Sequence, residues 1–133
     1  NELTTTVSSK DIKRTLTSAN KLYSYIPDIY SLYRSKMSPE AKRMVYYAGN
    51  IILDSAEEKW EQVIKDNEAL EKSWSLFRNT LEKEQQDIGD KLNFSIYELK
   101  KVVSEKSKQL TDIKGKIVLS NIKELQKSFK EKK

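Results

Sequence analysis

Glu57, Glu58 and Glu61 crowd one short stretch, and paired carboxylates of that kind are the first residues in this chain that could do chemistry, one as general acid and one as general base. A lysine buried deeply enough to lose its charge could serve as a nucleophile in the same way. Beyond these groups the repertoire closes quickly. The chain has no cysteine, which excludes disulfides, thiolate zinc sites, iron–sulfur clusters and cysteine nucleophiles. It has no histidine, which removes the ordinary general base near neutral pH, the Glu-x-x-His di-metal motif and the usual serine triad. Gly49, Gly89 and Gly115 stand alone, so no glycine-rich phosphate or dinucleotide loop is present. Carboxylate pairs at helical spacing are common on solvated faces. The residue types therefore point away from catalysis and give no reason to expect a cofactor or a metal ion.

Recognition chemistry is better represented. Six of the seven tyrosines, Tyr23, Tyr25, Tyr30, Tyr33, Tyr46 and Tyr47, fall between positions 23 and 47, with Arg34, Lys36, Lys42 and Arg43 among them. On a helix Tyr23, Tyr30 and Tyr33 share a face while Tyr25 points elsewhere, so one core cannot take all of them. Tyrosine and arginine are the side chains most enriched at interface hot spots. Tyr25, Tyr30, Tyr33, Arg34, Lys36, Arg43 and Tyr47 are thus the candidate partner-binding residues, set against the plainer alternative of aromatics filling one end of a bundle. Trp60 and Trp74, two heptads apart, read as core residues. Asn93-Phe94-Ser95 matches a glycosylation sequon, a pattern that often arises by chance.

Charge is unevenly spread. The net of +5 conceals +4 over residues 1–53, −6 over 54–90, zero over 91–99 and +7 over 100–133. The plainer reading is an acidic helix packed between basic neighbours. The sharper one is a polyanion contact through the C-terminal lysines, Lys100, Lys101, Lys106, Lys108, Lys114, Lys116, Lys123, Lys127, Lys130, Lys132 and Lys133. Only four of the 25 basic residues are arginine and none lies beyond Arg78, which argues against base-specific reading of nucleic acid.

The elements that must position these groups are helices. An apolar stripe at three- and four-residue steps runs through Met44, Ala48, Ile51, Ile52, Trp60, Val63, Ile64, Leu70, Trp74, Phe77, Leu81, Ile88, Leu92, Ile96, Leu99, Val103, Leu110, Ile113, Ile117, Leu125 and Phe129. Only 37% of residues are apolar and 34% are charged, so the core must be narrow, and three glycines with two prolines are too few for the turns of an all-β fold. No run is long and apolar enough to span a membrane. The expected fold is all-α, an antiparallel bundle of three to four long amphipathic helices. Residues 1–8 read as a polar tether and 9–133 as one bundle domain. Asn1 is not Met and no charged-then-apolar leader is present, the pattern of a trimmed or processed chain.

Ser8 and Asp11 resemble a capping box, and a first helix should start near Ser9 and meet Pro27, which kinks or ends it. The firmest boundary is Ser38 as N-cap with Pro39 at the first helical position. Beyond it, Asp66-Asn67 and Gly89-Asp90 are candidate breaks and Gly115 interrupts the last third. Two divisions follow: helices near 9–36, 39–65, 68–88 and 91–129, or three helices with the middle one unbroken from 39 to about 87. No internal repeat of fixed period stands out.

A lysine-rich, cysteine-free helical domain behind a polar N-terminal segment resembles, in composition and layout, the ligand-binding surface lipoproteins of low-GC bacterial pathogens, the spirochaetes among them. That resemblance assigns no residue a role. It implies a secreted or cell-surface setting and a protein ligand. The leading expectation is a non-enzymatic helical bundle that binds another protein. The alternatives are an amphipathic protein of lipid or membrane surfaces, which the nearly balanced charge before residue 100 disfavours, and a coiled-coil structural subunit of a larger assembly.

Overall fold

The computed structural model describes residues 38–131, with side-chain surroundings given for 38–129. Four α-helices account for most of them: α1 Pro39–Ala56, α2 Trp60–Arg78, α3 Gln86–Ser104 and α4 Lys108–Glu131. A single 3-10 turn, Lys83–Gln85, precedes α3, and no strand occurs among the described residues. The expected tether at 1–8, the Ser8 cap and the Pro27 kink lie outside the described residues.

α1 begins as its sequence dictates. The Ser38 hydroxyl accepts from the Ala41 N–H at 3.1 Å, and Pro39 occupies a first-turn position where a missing donor costs nothing. The later boundaries differ from expectation. Asp66 and Asn67 lie inside α2, Gly89 and Asp90 inside α3, and Gly115 inside α4. Nor is the middle helix unbroken, because the chain reverses at 57–59, at 79–85 and at 105–107. Residues 39–131 thus hold four helices where the two divisions place three or two.

The reversals use no glycine. Glu58 (φ 59°) and Lys106 (φ 54°) adopt the left-handed conformation that glycine usually supplies after a helix. Each sits in a Schellman motif. The Glu58 and Lys59 N–H groups donate to the Ser55 and Asp54 carbonyls, and those of Lys106 and Ser107 to Val103 and Val102. Ser107 then caps α4, its hydroxyl accepting from the Leu110 N–H at 3.3 Å. Beside Glu58, the Lys59 ammonium pairs with Glu57 at 2.7 Å, and that hydrogen bond, followed by the charge of Glu57, raises the lysine pKa.

Conversely, two glycines read as stops are points of close approach. A Cβ on Gly115 would stand 2.7 Å from Ile52 Cγ1, and one on Gly89 2.7 Å from Leu81 Cδ1. Gly115 therefore lets α4 lie close against α1, and Gly89 leaves room for Leu81 from the preceding loop.

Short links make sequential neighbours antiparallel. α1 packs on α2 and α4, and α3 on α2 and α4, which closes a four-helix ring. Its interior holds Met44, Ile51, Val63, Leu70, Leu92, Leu99, Val118, Ile122 and Leu125, all essentially removed from water, with Phe77 stacked at a tilt on Phe129 near one end. The hairpins α1–α2 and α3–α4 correspond at an offset of 48 residues. Glu58 matches Lys106, and buried Val63, Asn67, Leu70, Ser73, Trp74 and Phe77 match buried Thr111, Gly115, Val118, Asn121, Ile122 and Leu125. The repeat is one of backbone and burial rather than residue identity, which is why the sequence concealed it.

Candidate binding surface

Much of the predicted stripe is core, but four of its members are not. Ile64, Leu110, Ile113 and Ile117 were expected on the covered face and are exposed. On α4 the core line runs through Thr111, Gly115, Val118, Ile122 and Leu125, so residues 110, 113 and 117 fall about a quarter to a third of a turn or more to one side of it. The signal was present in the sequence. α4 carries two apolar lines rather than one, and a single continuous stripe had merged them.

α3 also carries exposed aromatics. Phe94 and Tyr97, one turn apart, are each 64% exposed, while Leu110, Ile113 and Ile117 range from 41% to 52%. Two ion pairs fix how the helices sit: Lys91 with Glu124 at 3.0 Å and Lys114 with Glu98 at 3.5 Å. Phe94 lies three residues after Lys91 and four before Glu98, and Ile117 three after Lys114 and seven before Glu124. Both therefore lie on the α3–α4 seam between the two pairs.

On the other flank of α3 a shallow groove of about 270 Å³ opens towards α2, lined by Glu71, Trp74, Arg78, Asn93, Tyr97 and Lys100 among others. Trp74 is buried, and its indole N–H donates to Asn93 Oδ1 at 2.9 Å, to which Arg78 also donates at 3.2 Å. The Asn93 side chain of the apparent sequon is thus engaged across the helix interface. Lys100 faces Glu71 at 3.6 Å and Arg78 faces Asp90 at 3.8 Å. These pairs are exposed and each contributes little; Lys100–Glu71 joins a lysine of the basic C-terminal third to α2, whereas Arg78–Asp90 lies within the 54–90 segment.

Of the tyrosine-rich candidates, Arg43 and Tyr47 are described. Arg43 is exposed on α1; Tyr47 is half-buried, packs against the core, and its ring lies 5.4 Å from that of Tyr46. Tyr25, Tyr30, Tyr33, Arg34 and Lys36 lie outside the described residues.

The acids that opened the chemical possibilities do not form a pocket. Glu57 and Glu58 sit in the exposed turn after α1 and Glu61 on the exposed first turn of α2. Among the described residues no group of three or more acids, histidines or cysteines is placed to hold a metal ion, and no helix is long and apolar enough to cross a membrane.

Two buried polar atoms, Asn67 Oδ1 and Thr111 Oγ1, have no hydrogen-bond partner. Ser55 and Ser95, also buried, donate to the Ile52 and Leu92 carbonyls within their own helices.

No family model matches the chain, and neither the curated proteins nor the solved structures provide a similar one. What the fold and surface define on their own is a class: an all-α helical bundle with an apolar line on its outer face.

Proposed function

We propose that this protein is a non-enzymatic helical-bundle module that binds another protein, in the secreted or surface-tethered setting that its composition suggests. The observation that carries the reading is the exposure of Phe94 on α3 and of Leu110, Ile113 and Ile117 on α4, with Tyr97 exposed on the flank of α3 that faces α2. A bundle whose core is already closed gains nothing in stability from large apolar side chains in water. Contiguous exposed apolar groups on a soluble protein mark contact sites, and aromatic anchors dominate the energetics of such contacts. Arg43 with Tyr46 and Tyr47 on α1 supports a second contact region at the tyrosine-rich end.

The test is affinity capture from candidate partner pools, serum included, using the wild type and the double variant Phe94→Ser/Tyr97→Ser. A partner retained by the first and lost by the second, with the helical spectrum intact, supports the reading. A partner retained equally by both moves the contact off this face.

A further inference from the structure

The α3–α4 seam also indicates what kind of element covers it. We infer that the docking element is an amphipathic helix with acidic flanks, laid along the seam over Phe94, Ile113 and Ile117; this rests on the protein-binding reading above.

The spacing supplies the shape. Leu110, Ile113 and Ile117 recur at three and four residues, and Phe94 closes the line from the facing helix, so the seam offers the ridge and groove that a further helix of the bundle would fill. Charge supplies the chemistry. Lys91, Lys114 and Lys116 have carboxylate partners in Glu124, Glu98 and Asp112. Lys101, Lys106 and Lys127 have none among the described residues, and all three are exposed. Lys101 follows Phe94 by seven residues and Tyr97 by four, Lys106 precedes Leu110 by four, and Lys127 follows Ile113 by fourteen. They therefore border the apolar line on the side that a docked helix would present its flanks.

The same charges weigh against two other occupants. A second copy of this chain, seated face to face, would bring the free lysines of both copies together on a chain already at +5. An anionic bilayer would meet Glu98 and Glu124 on the same face along with the lysines. A peptide helix can place its acids opposite Lys101, Lys106 and Lys127 and leave the existing pairs undisturbed.

The experiment uses the whole chain and a displayed library of helical peptides with apolar residues fixed at i, i+3 and i+7 and the flanking positions randomised among Asp, Glu, Lys, Ser and Gln. Selection is expected to enrich Asp and Glu at the flanks. Binding of the selected peptides should fall by about tenfold or more in Ile113→Lys/Ile117→Lys and be unchanged in Leu76→Lys, an equally exposed site on α2. It should also weaken as salt rises. Flanks that come out neutral or basic overturn the acidic helix while leaving the protein-binding reading in place. Peptides that bind the Ile113→Lys/Ile117→Lys variant as well as the wild type remove this seam as the docking site. Vesicles of phosphatidylserine and phosphatidylcholine that bind through Ile113 and Ile117 while the peptides do not, or a concentration-dependent dimer abolished by the same variant, overturn the inference in favour of lipid or self-association.

Discussion

Replacing Gly115 with alanine tests the packing of α4 on α1 more sharply than any truncation. Two effects oppose each other. Alanine is favoured over glycine inside a helix by about 1 kcal/mol, and at an open position the change would be stabilising by that amount. At Gly115 the new Cβ would stand 2.7 Å from Ile52 Cγ1, against roughly 3.5–4.0 Å for carbon atoms in contact, so α1 and α4 must separate by close to 1 Å or Ile52 must leave its rotamer. Ile52 is β-branched, buried and stiff, and overpacking of this kind costs about 1–3 kcal/mol. The difference predicts a net loss of about 1 kcal/mol, or roughly 3–5 °C in Tm for a domain of this size. Gly89→Ala is the internal control. Its Cβ clashes with the tip of Leu81, which is half-buried and can swing aside, and stands at ordinary contact distance, 3.7 Å, from Trp74 Cη2, so the propensity gain should survive and the variant should be neutral or stabilised by up to about 1 kcal/mol. Urea denaturation followed by circular dichroism measures both. Ile52→Ala alone should cost about 2–5 kcal/mol, and combined with Gly115→Ala it should cost less than the two added together by about 1 kcal/mol. Full stabilisation by Gly115→Ala, or strict additivity in the double variant, would refute the close approach of α1 and α4.

Three further outcomes follow from the same structure. Glu58→Gly and Lys106→Gly relieve left-handed backbone at the two Schellman turns, and each should raise the unfolding free energy by about 0.5–1 kcal/mol in the same denaturation assay. Thr111→Val keeps the shape of a fully buried side chain and removes a hydroxyl without a partner, so it should be neutral or stabilising by about 1 kcal/mol; a loss of similar size would show that the hydroxyl is satisfied. Asn93→Ala strips the acceptor from the buried Trp74 indole, and Arg78 cannot replace it because it is itself a donor. This variant should lose about 1–3 kcal/mol and change the tryptophan emission and near-ultraviolet dichroism, a change absent from Phe94→Ser.

The sequence disclosed the class of fold and much of the core, since Met44, Ile51, Val63, Leu70, Leu92 and Leu99 are where a 3.6-residue period places them. The Ser38-Pro39 start was equally plain because cap and proline act through local geometry alone. The other ends were hidden for a physical reason. Helix termination was sought at glycine and at Asp-Asn, whereas Glu58 and Lys106 accept left-handed backbone under tertiary constraint, and the glycines serve interhelical distance. Periodicity likewise reports that a residue lies on a face but not whether that face is covered. Leu110, Ile113 and Ile117 form a second apolar line beside that of Val118 and Ile122, and the packing of α1 and α3 on α4 decides which line is covered. Of the tyrosine-rich candidates, Arg43 is exposed and Tyr47 packs partly against the core.

Recognition by an outer face requires that the core residues be covered by helices of the same chain, and one distance tests this directly. The chain contains no cysteine, so Arg43→Cys and Lys72→Cys, both at exposed sites on α1 and α2, can carry a spin-label pair. With α2 folded back on α1 at Glu58, the labels should lie within about 30 Å, allowing for helix axes 8–10 Å apart and the reach of two labels. The same distance should persist when labelled protein is diluted with an excess of unlabelled protein. A separation of roughly 44 Å, the span of a straight helix over that stretch, would contradict a bundle closed on itself, as would a short distance that disappears on dilution.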